Sequence, residues 1–146
     1  MVARVVRNPL LDALSLGSWI SLAHPAIAEI MASAGFDWLV IDLEHSVITI
    51  REAEELIRII DLKGVVPIVR LSSNNPEQIK RIMDAGAHGV IVPMVNTVHE
   101  AEAAVAAVRY PPLGTRSVGL ARAQGYGAKF KDYLSWQESN PLVVVQ

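Results

Sequence analysis

The sequence predicts an α/β protein built on a parallel sheet, of the (β/α)8 TIM-barrel type, and three observations carry that expectation. Short apolar runs alternate four times with helix-like segments along the 146 residues, which is the pattern of right-handed βαβ crossovers. The apolar runs read as nearly solid Val, Ile and Leu, as strands do when both of their faces are covered. Polar residues then stand at the carboxyl end of strand after strand. An open doubly wound sheet is the alternative, but it carries a glycine-rich phosphate turn after an early strand. Here "SWISL" is followed by "AHPA", and the barrel is favoured.

The elements follow in order. "LLDALSLG" resembles the end of a leading helix closed by Gly17, and "SWISL" (18–22) is a first strand. "HPAIAEIMASAG" is a helix with Pro25 in its first turn and Gly35 past its end. "DWLVID" (37–42) is a second strand. "TIREAEELIRIIDLKG" (49–64) is amphipathic, with Ile50, Ala53, Leu56, Ile57 and Ile60 on one face. "VVPIVRL" (65–71) is a third strand. "NNPEQIKRIMDAG" (74–86) is a helix with Asn75 as N-cap and Ile79, Ile82 and Met83 inward. "GVIVPMV" (89–95) and "VHEAEAAVAAVRY" (98–110) are the fourth strand and helix. After a Gly/Pro/Arg-rich stretch come a short polar helix around "FKDYLSWQ" and a fifth strand, "PLVVVQ" (141–146). A barrel of this kind needs roughly 250 residues. Residues 1–146 are therefore expected to be a single domain, the front portion of a longer protein covering about four and a half βα units.

Composition narrows the function. Apolar residues make up 51% of the chain, and the mean hydropathy is +0.32. A net charge of −2 and the lack of a basic stripe give no sign of nucleic-acid binding. With no cysteine, disulfides, thiolate metal sites and cysteine nucleophiles are excluded. No apolar run approaches the ~20 residues of a membrane helix, and Asn8, Pro9 and Asp12 interrupt any signal-peptide core. The expectation is a cytoplasmic protein without a membrane partner.

In a parallel βα fold, ligands bind at the carboxyl ends of the strands. Standing there are Asp42, Glu44 and His45 from the second strand and Arg70 from the third. Pro93, Met94 and Asn96 follow the fourth strand, Gln146 ends the fifth, and Trp19 lies on the first. The spacing of Asp42 and His45 allows a carboxylate–imidazole hydrogen bond, which would orient a general acid/base; a histidine capping its own loop is the plainer alternative. Arg70 ends a buried strand and needs an anion, either a substrate carboxylate or an internal partner in Asp42 or Glu44. Trp19 is core or substrate wall. His24, His88 and His99 read as structural or surface residues. Asp84, an acid in a helix's last turn, is disfavoured by the dipole and reads as a tolerated surface charge or a partner-subunit contact. Arg109, Arg116 and Arg122 flank "PPLGTR" and read as solvated loop arginines.

The motifs "AGFDWLVIDLEHS", "PIVRLSSNNPEQIKRIMDAGAHGVIVPMV" and "AEAAVAAVRYPPLGTRSVG" resemble the pyruvate-dependent class II aldolases. The type is that of 4-hydroxy-2-oxoheptanedioate and 2-keto-3-deoxy-sugar-acid aldolases, in the aldolase/citrate lyase superfamily. The resemblance runs from about Gly17 to Gln146. It implies a barrel assembled into hexamers, and metal-dependent cleavage of a 4-hydroxy-2-oxo acid to pyruvate and an aldehyde. It further implies that His45 is the acid/base, that Asp42 orients it, and that Arg70 holds pyruvate's oxygens and stabilises the enolate. Gln146, with Trp19 and Pro93, would line the pyruvate site, and Asp84 would reach a neighbouring subunit's site. Ser117 stands where the family pattern has glycine. The divalent metal (Mg, Mn or Co) would be held by a glutamate and an aspartate beyond Gln146, so no metal ligand is assigned within the chain. The chain alone is expected to be inactive. The alternatives are a non-catalytic half-barrel assembly module, or another carbon–carbon or carbon–phosphorus lyase or hydrolase of the superfamily.

Overall fold

The computed structural model describes residues 14–146. Five parallel strands form one sheet: β1 (Gly17–Ile20), β2 (Trp38–Asp42), β3 (Val66–Arg70), β4 (Gly89–Val92) and β5 (Leu142–Val145). Helices α1 (Pro25–Ala32), α2 (Ile50–Leu62), α3 (Pro76–Ala85) and α4 (Val98–Val108) connect the first four strands and follow the fourth. A 3-10 segment, Arg122–Gly127, and α5 (Phe130–Gln137) lead into β5.

Strand order is β1-β2-β3-β4-β5. A doubly wound sheet reverses its order at a switch point; this one does not, and the arrangement is TIM-barrel-like, as expected. Leu39, Ile41, Val69, Val90 and Val92 point from one face into a core shared with Ala28, Leu56, Ile57, Ile60, Ile79, Ile82, Met83 and Val108. Because side chains alternate along a strand, the opposite face carries Trp19, Val40, Asp42, Ile68 and Arg70. The register sets Trp19 beside Val40, Val40 beside Ile68, and Asp42 beside Arg70.

Helix starts follow their local sequence. Asn75 caps α3 as expected, accepting from the N–H groups of Glu77 and Gln78. Thr49 and Glu52 form a capping box at α2, as do Thr97 and Glu100 at α4. His24 is the N-cap of α1, its Nδ1 accepting from Ala26 N–H. His99 lies in the first turn of α4 and His88 just before β4, so all three histidines stand where the sequence put them.

Two expectations need correction. Residues 10–13 of the expected leading helix lie outside the described residues, residues 14–16 are not helical, and Gly17 opens β1 rather than closing a helix. The cause is pairing of the segment before it: Leu16 N–H donates to Asp37 Oδ2 at 2.8 Å, and Asp37 N–H returns to Leu16 O at 2.8 Å. Gly17 is required because Trp38 lies across it, and a Cβ there would stand 1.9 Å from the indole. The 3-10 segment was not anticipated, since its turn depends on left-handed backbone at Gly125 and Tyr126. Among the described residues no helix is long and apolar enough to cross a membrane.

Candidate active site

The carboxyl ends of β2 and β3 meet in one ion-pair cluster. The register places Asp42 opposite Arg70, and the two side chains close a fork. Arg70 Nε donates to Asp42 Oδ1 at 2.9 Å, and Nη2 donates to Oδ2 at 2.6 Å. Asp42 Oδ1 also accepts from the backbone N–H groups of Glu44 (3.0 Å) and His45 (3.2 Å). Below it, Ser46 Oγ donates to the Asp42 carbonyl and accepts from Ile48 N–H. The loop bearing Glu44 and His45 is thus wound around one carboxylate.

That winding changes the part Asp42 plays. It was expected to orient the His45 imidazole, but it holds His45 by the backbone instead. Four donors already converge on its oxygens, and the ring points away, with 72% of the side chain exposed. The group near the imidazole is Glu44, whose Oε1 lies 3.8 Å from Nε2. The other oxygen of Glu44 lies 3.4 Å from Arg70 Nη1. Arg70 therefore has both internal partners that the sequence left open, and only its Nη1 edge faces away from Asp42. The Trp19 ring lies under the guanidinium at 4.7 Å, a cation–π contact, so Trp19 packs against the charged cluster.

The hydrogen bonds from Arg70 hold the Asp42 carboxyl below its ordinary value, against the opposing effect of burial. Asp42 in turn pushes the Arg70 guanidinium up. A carboxyl whose folded-state pKa is depressed contributes stability above its unfolded value and loses it as pH falls through the folded value. The advantage of the natural protein over Asp42→Asn is therefore expected to hold steady above pH ~5 and shrink below pH ~4. Urea denaturation at a series of pH values measures it; an undiminished difference at pH ~3 would contradict the assignment.

The remaining candidates are dispersed. Pro93 follows β4 and is buried, and Met94 beyond it has φ +58 with its side chain 76% exposed. Left-handed backbone in a non-glycine residue stores strain and clusters at functional sites; nothing in the residue type announced it. The backbone of Gln146 closes the fifth strand by bonding Val92 O and Val95 N–H, while its side chain is exposed. Asp84 is not brought to this rim. It sits in the last turn of α3, at the other end of the sheet, and accepts from Arg116 Nη2 at 2.8 Å.

Among the described residues, no three His, Cys, Asp or Glu side chains converge to hold a metal ion. The two rim carboxylates are engaged by Arg70. This donor set does not fit a divalent ion by itself.

Residues 15–146 match the family described as HpcH/HpaI aldolase/citrate lyase. The chain belongs to the HpcH/HpaI aldolase/citrate lyase family. It is 43% identical over 129 residues to a 2-dehydro-3,6-dideoxy-6-sulfogluconate aldolase of Pseudomonas putida, covering 88% of this chain and 49% of that protein. It is 41% identical over 148 residues to a 4-hydroxy-2-oxo-heptane-1,7-dioate aldolase of Salmonella dublin, covering 97% and 56%. A solved HpcH/HpaI family protein from Burkholderia cenocepacia J2315 superimposes with a TM-score of 0.83 at 35% identity, covering 90% of this chain and 54% of that one. The chain thus spans about half the length of the curated relatives it matches. Within this HpcH/HpaI chain, the rim built by β2 and β3 gathers Asp42, Glu44, His45 and Arg70 at the carboxyl end of the sheet.

Proposed function

We propose that this chain supplies the acid/base and oxo-acid-binding half of a lyase. The reaction is cleavage of a 4-hydroxy-2-oxo acid to pyruvate and an aldehyde. The observation that carries the reading is the juxtaposition of Arg70 with Asp42, Glu44 and His45 at the carboxyl ends of adjacent strands, in a chain of an aldolase family.

A base involving His45 takes the proton of the substrate's 4-hydroxyl. The C3–C4 bond breaks, C4 leaves as the aldehyde carbonyl, and the electron pair moves into C2–C3 to give the pyruvate enolate. Protonation at C3 then yields pyruvate. Arg70 faces the substrate with Nη1, because Nε and Nη2 are committed to Asp42. A fixed N–H aimed at the developing oxyanion is worth more in the transition state than in the ground state. The resting contact between Nη1 and Glu44 has to open for this, leaving Glu44 beside His45. Trp19 and Pro93 form the apolar wall, and Gln146 adds an amide.

The divalent metal (Mg, Mn or Co) and the homohexamer belong to this proposal for the whole protein, as does a cytoplasmic location. No residue of this chain is proposed as a metal ligand, and Asp84 is proposed to reach a neighbouring subunit only if Arg116 releases it. The test is pyruvate release from 4-hydroxy-2-oxo acids by the protein expressed from its natural gene, with each metal added. His45→Ala is expected to lower turnover by about 10²-fold, in line with loss of a general acid/base. Absence of pyruvate from every such acid, or an unchanged rate in His45→Ala, counts against the reading.

A further inference from the structure

A second concavity lies at the opposite end of the sheet from Asp42 and Arg70. It encloses about 500 Å³, within the ~300–1,000 Å³ of small-molecule sites. Its walls come from the end of α2, the turn between α3 and β4, the 3-10 segment and α5. His88 directly precedes β4, so the cavity opens at the amino-terminal ends of the strands. A strand's length, roughly 15 Å, separates it from the catalytic rim.

One set of charges in it is internally satisfied. Asp61 Oδ2 accepts from Arg122 Nη2 at 2.6 Å, and Oδ1 lies 3.2 Å from His88 Nε2. Burial opposes ionisation of Asp61, but these partners outweigh it and hold the carboxyl below its ordinary value. Arg122 also donates to Ala85 O at 3.3 Å. It occupies room left by Gly86, where a Cβ would stand 2.3 Å from Nη1. The apolar wall is aromatic: the rings of Tyr133 and Trp136 stack at 5.4 Å, and that of His88 lies 5.3 Å from Trp136.

A second set is not satisfied. Lys129 and Asp132 line the same cavity, are exposed, and enter no ion pair among the described residues. Standing three apart at the start of α5, they are surface neighbours, roughly 5–6 Å between Cβ atoms, without pairing to each other. A lone anion here would meet Asp61 and Asp132, and a lone cation would meet Arg122 and Lys129. Two neighbouring, opposite charges that do not pair with each other, beside an aromatic wall, match a molecule carrying both charges.

We propose that this cavity binds a free α-amino acid with an aromatic side chain. The carboxylate is taken by Lys129, the ammonium by Asp132, and the ring lies against Trp136.

Calorimetric titration of the protein expressed from its natural gene with L-phenylalanine tests this. The comparison ligands are 3-phenylpropionate, which lacks the ammonium, and 2-phenylethylamine, which lacks the carboxylate. Each analogue is expected to bind at least about fivefold more weakly than phenylalanine, as loss of one charged hydrogen bond implies. Lys129→Gln and Asp132→Asn, both at exposed positions, are each expected to weaken phenylalanine binding by a similar factor, and Arg70→Ala is expected to leave it unchanged. No binding up to about 10 mM overturns the proposal. So does 3-phenylpropionate binding as tightly as phenylalanine, which would mark a plain anion site. Loss of binding in Arg70→Ala would move phenylalanine to the catalytic rim and overturn it as well.

Discussion

Arg70→Ala is expected to lower kcat by about 10²- to 10³-fold, the range seen when one fixed oxyanion donor is removed. Two effects combine. The Nη1 donor proposed for the enolate oxygen disappears, and Asp42 is left 5% exposed without its fork. A buried carboxylate deprived of its partner protonates or rearranges, and the backbone N–H groups of Glu44 and His45 then lose a charged acceptor. Arg70→Lys should recover little, since an ammonium cannot close two parallel bonds to Asp42 while offering a third edge to substrate. Steady-state kinetics on 4-hydroxy-2-oxo acids, with thermal melts to track folding, separate the effects. A kcat within about threefold of the natural protein, far short of one donor's worth, would remove Arg70 from the chemistry.

Arg116→Met is expected to destabilise the fold by about 3–5 kcal/mol, the loss typical when one partner of a buried charge pair is deleted. The guanidinium of Arg116 is fully buried. It donates to Asp84 Oδ1 at 2.8 Å, Tyr133 Oη at 3.0 Å, Tyr110 Oη at 3.2 Å and Val108 O at 3.2 Å. It also lies 4.5 Å from the centre of the Tyr110 ring. Burial pushes the Tyr133 hydroxyl up to about 12 and pushes the Tyr110 hydroxyl up as well, so both tyrosines stay neutral and act as acceptors for the cation. Methionine fills part of the volume but leaves the half-buried Asp84 carboxylate and the Tyr133 hydroxyl without their cation, while Tyr110 keeps the hydrogen bond from Gln124 Nε2. Urea denaturation measures the loss. Adding Asp84→Asn should restore part of it, because the stranded charge goes too. A loss under about 1 kcal/mol, an ordinary surface value, would show that the network carries little.

The cluster around Arg116 also shows where reading the sequence stops. The α/β alternation, the parallel sheet and the helix starts at Pro25, Thr49 and Asn75 were legible, because they rest on apolar periodicity and capping chemistry within a few residues. Asp42, His45 and Arg70 were legible as candidates because strand ends are where such a fold places its chemistry. Arg116 was not, and reading it as solvated was wrong. Its position in a Pro/Gly turn points to solvent, yet its partners Tyr133 and Asp84 are 17 and 32 residues away. Arg122 misled in the same way, its partner Asp61 lying 61 residues back. The role of Asp42 was half legible: spacing brought it near His45, but only the winding of the loop decides between ring and backbone.

The unbroken strand order has a consequence for how the chain is made. Each strand pairs with the one synthesised just before it, so a nascent chain leaving the ribosome finds its next partner already in place. Strand pairing can proceed in the order of synthesis, with a longer connection to close only between β4 and β5. The rim is put together in the same order. Asp42 emerges first and waits, solvated, until Arg70 arrives 28 residues later, and the docking of β3 on β2 is the event that brings the two charges together.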